Sequence, residues 1–380
     1  MILGIDATNI RSGGGLTHLK EVLQYAEPKD YLFEKVIVWS NEKTLSKLPD
    51  YDWLHKKTHN LLNQSFIFSF LFQFLLLSKK AMKENCDILF VPGGTFLGNF
   101  PRIVSMSQNM LPFEKEESAR FTDLKSRLRF KLLHFTQKNT FRKSKGIIFL
   151  TRYAKSYITN SASLRGNSVI IPHGINPDFL NEPKQQKEVS KYSIERPFKL
   201  LYVSIVTVYK HQWIVADAVL RLRREGYPVA LDLVGGNTEE SLLKLQEVLK
   251  KDVQKCIQYK GEVNYEMLAE IYKKAEGFVF ASSCENMPII LIEAMTAGLP
   301  IACSNMGPMP EILGEDGFYF NPLNAHDVYL SLKEMLDFAE KRKFKSHNSY
   351  NKSINYTWKD CSHQTFDYLS QIAKTTNLCK

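Results

Sequence analysis

The sequence predicts an α/β protein made of two doubly wound domains, and three observations predict it. Short runs rich in Val, Ile and Leu alternate with longer helical patterns along the chain, the arrangement of parallel sheets covered on both faces by helices. At 380 residues the chain is too long for one ordinary core and suits two domains of roughly 150 to 200 residues each. Between the halves, Asn181 to Arg196 is polar, lysine-rich and poor in apolar residues, as a linker is. The expected division is a first domain of 1–180, a linker of 181–196 and a second domain from 197 onward.

Each element follows from the same alternation. The expected strands are Ile2 to Ile5, Val36 to Trp39, Ile88 to Val91, Ile103 to Met106, Ile147 to Leu150 and Val169 to Ile171 in the first half. Leu200 to Val203, Ala230 to Val234, Gly277 to Phe280 and Pro300 to Cys303 follow in the second. Helices are expected from Leu19, Val22 and Leu23, from Ile214, Ala218, Val219 and Leu222, from Met267 to Ala275, and after Pro288, where Ile289, Ile290, Ile292 and Met295 recur. Ser65 to Leu77 is the most apolar run; it is too short to cross a bilayer, which needs about 20 residues, and reads as a buried helix of a βαβ unit or an interfacial one.

Composition excludes several classes. The N-terminus has no basic stretch ahead of an apolar run, so it reads as a strand rather than a signal peptide and the expected location is cytoplasmic. Six scattered cysteines with no C-x-x-C pair fit neither a disulfide framework nor a zinc site. The formal charge of +10 is concentrated between Arg120 and Lys145, where nine basic residues face the single acid Asp123. With Phe121, Leu124, Leu128, Leu132 and Phe135 at spacings of three or four, this segment fits a helix with a basic face, suited to an anionic membrane surface or simply solvated. No recognition motif accompanies the charge, so nucleic acid is not an expected partner.

In doubly wound sheets ligands bind beyond the carboxyl ends of the strands, and three such places carry chemistry. Gly13, Gly14 and Gly15 follow the first strand and open a helix, where backbone amides can hold an anion such as a nucleotide diphosphate; a flexible turn is the plainer alternative. Gly93-Gly94-Thr95 repeats the theme. After the Leu200 run, Lys210 stands just ahead of a helix, placed for a phosphate if it is not merely exposed. The third place is Ser282 to Leu313: Glu285 lies in a loop, Glu293 in the following helix. A carboxylate accepts two hydroxyl hydrogen bonds at once, so the two acids can hold a ribose and a sugar while the amides near Asn286 and Met287 take phosphates, with Pro288 and Ile289 beside them in the donor site.

The spacing Glu285…Glu293, followed by Ala294-Met295, Gly298-Leu-Pro300 and Pro310-Glu311, resembles the donor-site signature of the retaining family-four glycosyltransferases of the GT-B fold. That resemblance implies two Rossmann-like domains facing across a cleft, the first on the acceptor side and the second binding a nucleotide-sugar, with 356–380 crossing back to the first. It implies a retaining glycosyltransferase that moves a hexose-type sugar to a growing, lipid-linked cell-surface glycan of the lipopolysaccharide, O-antigen or capsule kind. In that scheme Glu293 binds the ribose, Glu285 orients the donor sugar and Lys210 neutralises the diphosphate, with Gly14 and Gly15 on the donor as well. The protein would work in the cytoplasm or on the inner face of the membrane. No DxD motif suggests a metal-held diphosphate, so neither a metal nor another cofactor is expected.

Two departures qualify the match. No arginine lies between Ser204 and Tyr209, where family members commonly carry one, leaving Arg11 or Arg152 as substitutes. Where members often carry a histidine, Gln108 and Asn109 stand instead, with Asn109 the candidate and His18, His134 and His173 nearby. An inactive nucleotide-sugar-binding paralogue and a GT-B-type sugar-nucleotide epimerase are the alternatives.

Overall fold

The computed structural model describes residues 1–162, 164 and 166–375. By internal contacts it divides into two units, one of 1–118, 122–174 and 357–380, the other of 119–121 and 175–356.

The first unit is built on a seven-stranded parallel sheet: β1 (Ile2–Asp6), β2 (Lys35–Trp39), β3 (Leu54–Lys57), β4 (Ile88–Val91), β5 (Ile103–Met106), β6 (Gly146–Phe149) and β7 (Asn167–Ile170), in the order β3-β2-β1-β4-β5-β6-β7. Leu3 lies opposite Val36 on one side and Ile88 on the other. The second unit carries β8 (Phe198–Val203), β9 (Val229–Val234), β10 (Ile257–Tyr259), β11 (Gly277–Phe280), β12 (Ile301–Ser304) and β13 (Gly317–Phe320), in the order β10-β9-β8-β11-β12-β13. Its strands are parallel too. Strand order reverses between β1 and β4 and again between β8 and β11, and at such switch points the loops leaving neighbouring strands diverge and open a crevice.

All ten expected strands form, and three more join them. β3, β10 and β13 are each the edge of a sheet. An edge strand is not covered like a central one, and β3 shows it: Leu54-His-Lys-Lys57 has no apolar run to read.

The helices that matter here are α1 (Gly13–Gln24), α2 (Phe66–Phe72, a π-helical turn Gln73–Leu77, then Ser78–Lys83), α3 (Leu124–Lys143), α4 (Gln212–Arg224), α5 (Tyr265–Lys274), α6 (Ile289–Thr296) and α7 (Trp358–Thr375). As expected, the triple glycine opens α1 and forms its first turn, with Gly13 at φ +67°. The buried reading of 65–77 holds for only half of α2: Phe72, Leu77 and Ala81 join a core with Trp39, Leu62 and Leu89, while Ile67, Leu71, Phe74, Leu75 and Met82 face solvent.

In α3 the spacing of apolar residues reads correctly as helical, but Phe121 precedes the Asp123 cap. The stripe Leu124, Leu128, Leu132 and Phe135 points outward, and Phe130, Gln137, Thr140 and Phe141 make the buried face.

The chain changes unit between Gly174 and Ile175, and the polar stretch 181–196 is fastened along the second unit. Asn181 donates its amide to the Thr296 carbonyl at 3.1 Å, Lys184 Nζ reaches the Ala275 carbonyl at 2.7 Å, and the Tyr192 hydroxyl reaches Glu276 at 3.2 Å. The fully buried Arg342 donates to Gln186 Oε1 and to the Lys187 carbonyl. Polar composition here reflects partners on the unit's surface rather than freedom. α7 belongs to the first unit, its Tyr368 hydroxyl donating to the Asn167 carbonyl at 2.7 Å.

Candidate functional site

In the second unit the switch point joins two loops, one leaving β8 and one leaving β11. The Ser283 amide donates to the Tyr209 carbonyl at 2.9 Å. Tyr202, buried in β8, binds both loops: its hydroxyl donates to the Lys210 carbonyl and accepts from the Ala281 amide at 3.2 Å. His211 takes the left-handed conformation at φ +51° immediately before α4, and its Nε2 lies 2.9 Å from Ser283 Oγ. Burial pushes the His211 imidazole down to about 4, so it is a neutral hydrogen-bonding strut.

That lacing brings Lys210 to Glu285. The Lys210 ammonium pairs with Glu285 Oε1, and only 7% and 14% of the two side chains is exposed. The ammonium also lies 4.9 Å from the centre of the Phe280 ring. A lysine held just ahead of the N-terminus of a 13-residue helix adds a full charge to the partial positive charge of the helix end.

Pro288 caps α6 with extended backbone, and Asn286 and Met287 are buried beside it. Ile289 is the first residue of that helix. Glu293 lies within its second turn, 2% exposed, and accepts a 3.0 Å hydrogen bond on Oε2 from the Tyr272 hydroxyl of α5. Burial lifts the Glu293 carboxyl to about 7, with the Tyr272 hydrogen bond opposing the shift. The loop after β12 passes close by: a Cβ on Gly307 would lie 3.9 Å from the Glu285 amide, and Gly307 itself is left-handed at φ +60°.

In the first unit the segments after β1 and β5 hold the other candidates. Gly14 is exposed at the start of α1, and Gly15 faces the Gln108 side chain, whose Oε1 would lie 3.2 Å from a Cβ at that position. Asn109 is half-buried, its Oδ1 accepting from the Leu111 amide at 3.1 Å. Asp6, at the end of β1, is fully buried and accepts from Thr8 Oγ1 at 2.7 Å and Gln73 Nε2 at 2.6 Å; burial lifts its carboxyl to about 6.

Most of the other side chains considered from the sequence have structural partners. Arg11 donates to the Gln64 carbonyl at 3.0 Å and to Ser69 Oγ at 2.9 Å and lies over the Phe66 ring. His18 and His173 are buried with Nδ1 atoms 3.1 Å apart, against Trp358, and burial lowers His18 to about 3. His134 Nδ1 meets the Pro112 carbonyl at 3.0 Å. Arg152 is the exposed first residue of the helix Arg152–Ser161. Cys86, Cys256, Cys284, Cys303 and Cys361 are buried and outside any disulfide, and Cys379 lies outside the described residues.

Structure thus unites Lys210 with Glu285 and sets Glu293 in the next helix. Sequence reasoning missed Tyr202, His211, Ser283 and Tyr272, which position them. Tyr202 and Tyr272 sit in apolar patterns and read as core; only the tertiary arrangement reveals where their hydroxyls go.

Comparison with known proteins agrees with the fold. Residues 184–352 match the family Glycosyl transferases group 1. An O-antigen chain mannosyltransferase B of Escherichia coli is 27% identical over 144 residues, 38% of this chain and 37% of that protein. The chain spans well under half the length of the curated relatives it matches. Among solved structures, sucrose-phosphate synthase from Thermosynechococcus elongatus superposes with a TM-score of 0.75 at 14% identity, covering 100% of both chains. The HepE protein of Anabaena, solved with UDP and glucose, gives 0.69 at 15% identity over 98% of this chain and 100% of its own. The protein therefore has the GT-B fold, and its residues 184–352 are similar to the Glycosyl transferases group 1 family.

Proposed function

We propose that this protein is a retaining glycosyltransferase that moves a hexose-type sugar from a nucleotide-sugar to a growing, lipid-linked cell-surface glycan of the lipopolysaccharide, O-antigen or capsule kind. The observation that carries this reading is the buried Lys210–Glu285 pair at the switch point of the second sheet, within the segment matched to group 1 glycosyl transferases. A similar protein named for O-antigen mannosyl transfer and a like-folded protein solved with UDP and glucose support the direction.

In this reading the donor diphosphate lies against Lys210 and the α4 N-terminus, which together stabilise the charge that grows as the sugar–phosphate bond breaks. Glu285 exchanges part of its contact with Lys210 for sugar hydroxyls, and Glu293 accepts from the ribose. The amides of Asn286, Met287 and Ile289 hold phosphate oxygens. Asn109 orients a hydroxyl; an amide does not take a proton at neutral pH. Retention requires the acceptor hydroxyl to be held on the sugar face that the diphosphate leaves, which is a task of positioning.

The test is calorimetric binding of UDP-, GDP- and ADP-sugars to the wild type and to Glu293→Ala. One donor should bind the wild type, and the variant should lose roughly tenfold or more in affinity, about 1.4 kcal/mol. No binding by any donor, or equal binding by the variant, would make an inactive paralogue the better reading; turnover of the donor without an acceptor would favour an epimerase.

No divalent ion is required in this scheme, because Lys210 and the helix end supply the positive charge. Turnover lost in chelator and restored by manganese or magnesium would refute it. The outward stripe of α3, with Lys125, Arg127, Arg129 and Lys131 around it, supports attachment to the anionic inner face of a membrane, where a lipid-linked acceptor would lie. No helix among the described residues is long and apolar enough to cross a membrane.

A further inference from the structure

Helix α2 is apolar on both sides, yet only one side is covered. Its inner face is fixed firmly. Gln73, in the π-helical turn, donates to Asp6 Oδ2 at 2.6 Å and to the Thr95 carbonyl at 2.9 Å, and its Oε1 accepts from the Leu97 amide at 2.9 Å. The helix is therefore held to the carboxyl ends of β1 and β4, and its outer face is presented by a rigid support. On that outer face Ile67 is 70% exposed, Phe74 62% and Leu75 52%, with Leu71 and Met82 also open. A helix that is hydrophobic all round is normally enclosed by protein or lipid, and a contiguous exposed apolar face marks an interaction site.

Charge indicates what covers it. The run from Ser65 to Lys83 contains no acid, and it ends in Lys79, Lys80 and Lys83, which make no ion pair among the described residues. The next acid, Glu84, is already paired with Lys35 and Lys57. A second copy of this chain meeting the face through a two-fold contact would bring two sets of lysines together with no acid to answer them. An anionic headgroup layer answers the lysines while its acyl boundary takes the apolar side chains.

We propose that the outer face of α2 is an interfacial anchor that lies in the surface of an anionic bilayer, inserting Ile67, Leu71, Phe74 and Leu75 while Lys79, Lys80 and Lys83 meet the headgroups. This extends the membrane reading of α3 but rests on a different element. The two helices are neighbours in the first unit, since Gln73 holds Thr95 and Leu97 while Thr140 of α3 accepts the Phe96 amide at 2.9 Å in its hydroxyl. Insertion of apolar side chains resists salt, whereas attraction through basic residues is screened by it.

The experiment is vesicle flotation at low and high salt, with phosphatidylcholine alone and with an equimolar mixture of phosphatidylcholine and phosphatidylglycerol. The full chain, Ile67→Ser/Phe74→Ser/Leu75→Ser and Arg127→Glu/Arg129→Glu/Lys131→Glu are compared. The wild type should float with the anionic vesicles and keep a salt-resistant fraction. The α2 variant should lose that fraction, with affinity down roughly tenfold or more, while the α3 variant should lose mainly the salt-sensitive part. In Phe74→Trp, brominated lipid should quench more emission than in the parent, a readout that stands even if the triple variant folds poorly. The proposal is overturned by an α2 variant that floats like the wild type, or by no added quenching. It is also overturned if light scattering shows a wild-type dimer that the α2 changes dissociate without altering flotation. Loss of all flotation in the α3 variant alone would leave the α3 reading standing and this one refuted; a wild type that never floats removes both.

Discussion

At the scale of single residues, the candidate site is defined by groups whose burial works against their charge. A buried ion pair such as Lys210–Glu285 contributes little to stability beyond what apolar residues of similar size would give, so its presence at a strand end points to chemistry more than to folding. Glu293 is the clearer case, because its titration reports on the site directly. Its carboxyl moves from 4.5 to about 7 on burial, so between those values the unfolded chain has lost a proton that the folded one keeps. Stability from this group is present at low pH and falls as pH rises through that window. Glu293→Gln, which cannot ionise, should therefore gain on the wild type as pH rises from 4.5 to 7, by at most about 3 kcal/mol. Denaturant unfolding of both proteins across that range measures it, and a gap independent of pH would mean that Glu293 ionises freely in the fold.

At the scale of elements, the glycines Gly298 and Gly13 share a backbone conformation but not an environment. Gly298 closes α6 at φ +66°, and a Cβ there would stand 2.6 Å from the Pro183 amide nitrogen and 2.7 Å from the Asn181 carbonyl oxygen. Gly13 opens α1 at φ +67°, with nothing within 4 Å. Gly298→Ala should destabilise by about 2 kcal/mol or more, the left-handed penalty plus a backbone clash, and Gly13→Ala by about 1 kcal/mol. Thermal unfolding ranks them; equal costs would show that segment 181–183 yields easily. Elements also mark how far periodicity reads. It located α3, while unbroken apolar runs located the inner strands, because a 3.6-residue repeat and an apolar run are both local properties of the chain. It did not tell which side of α2 or α3 is covered, since that depends on what the rest of the unit brings against each face.

At the scale of the whole molecule, the first unit is assembled from pieces far apart in sequence, and α7 closes it. Trp358, Phe366, Leu369 and Ile372 are buried, the Ser362 hydroxyl donates to the Val22 carbonyl at 2.7 Å, and Gly174 admits the Trp358 backbone where a Cβ would come within 2.1 Å. A chain ending at Tyr356 should lose amide-exchange protection in β1 and α1 while β8 and β11 stay protected, because the second unit contains its own sheet and core. Loss of protection in both units alike would show that they fold only together. The sequence by itself determined the α/β class, the ten inner or well-patterned strands, the acid spacing of Glu285 and Glu293 and the lysine ahead of α4, because each is a matter of local pattern or composition. Only the tertiary structure decided the edge strands β3, β10 and β13, the fastening of 181–196, the Tyr202 and Tyr272 hydroxyls behind the candidate site and the exposed faces of α2 and α3. Those depend on partners distant along the chain, and burial and hydrogen bonding are settled by what folding brings together rather than by neighbours in sequence.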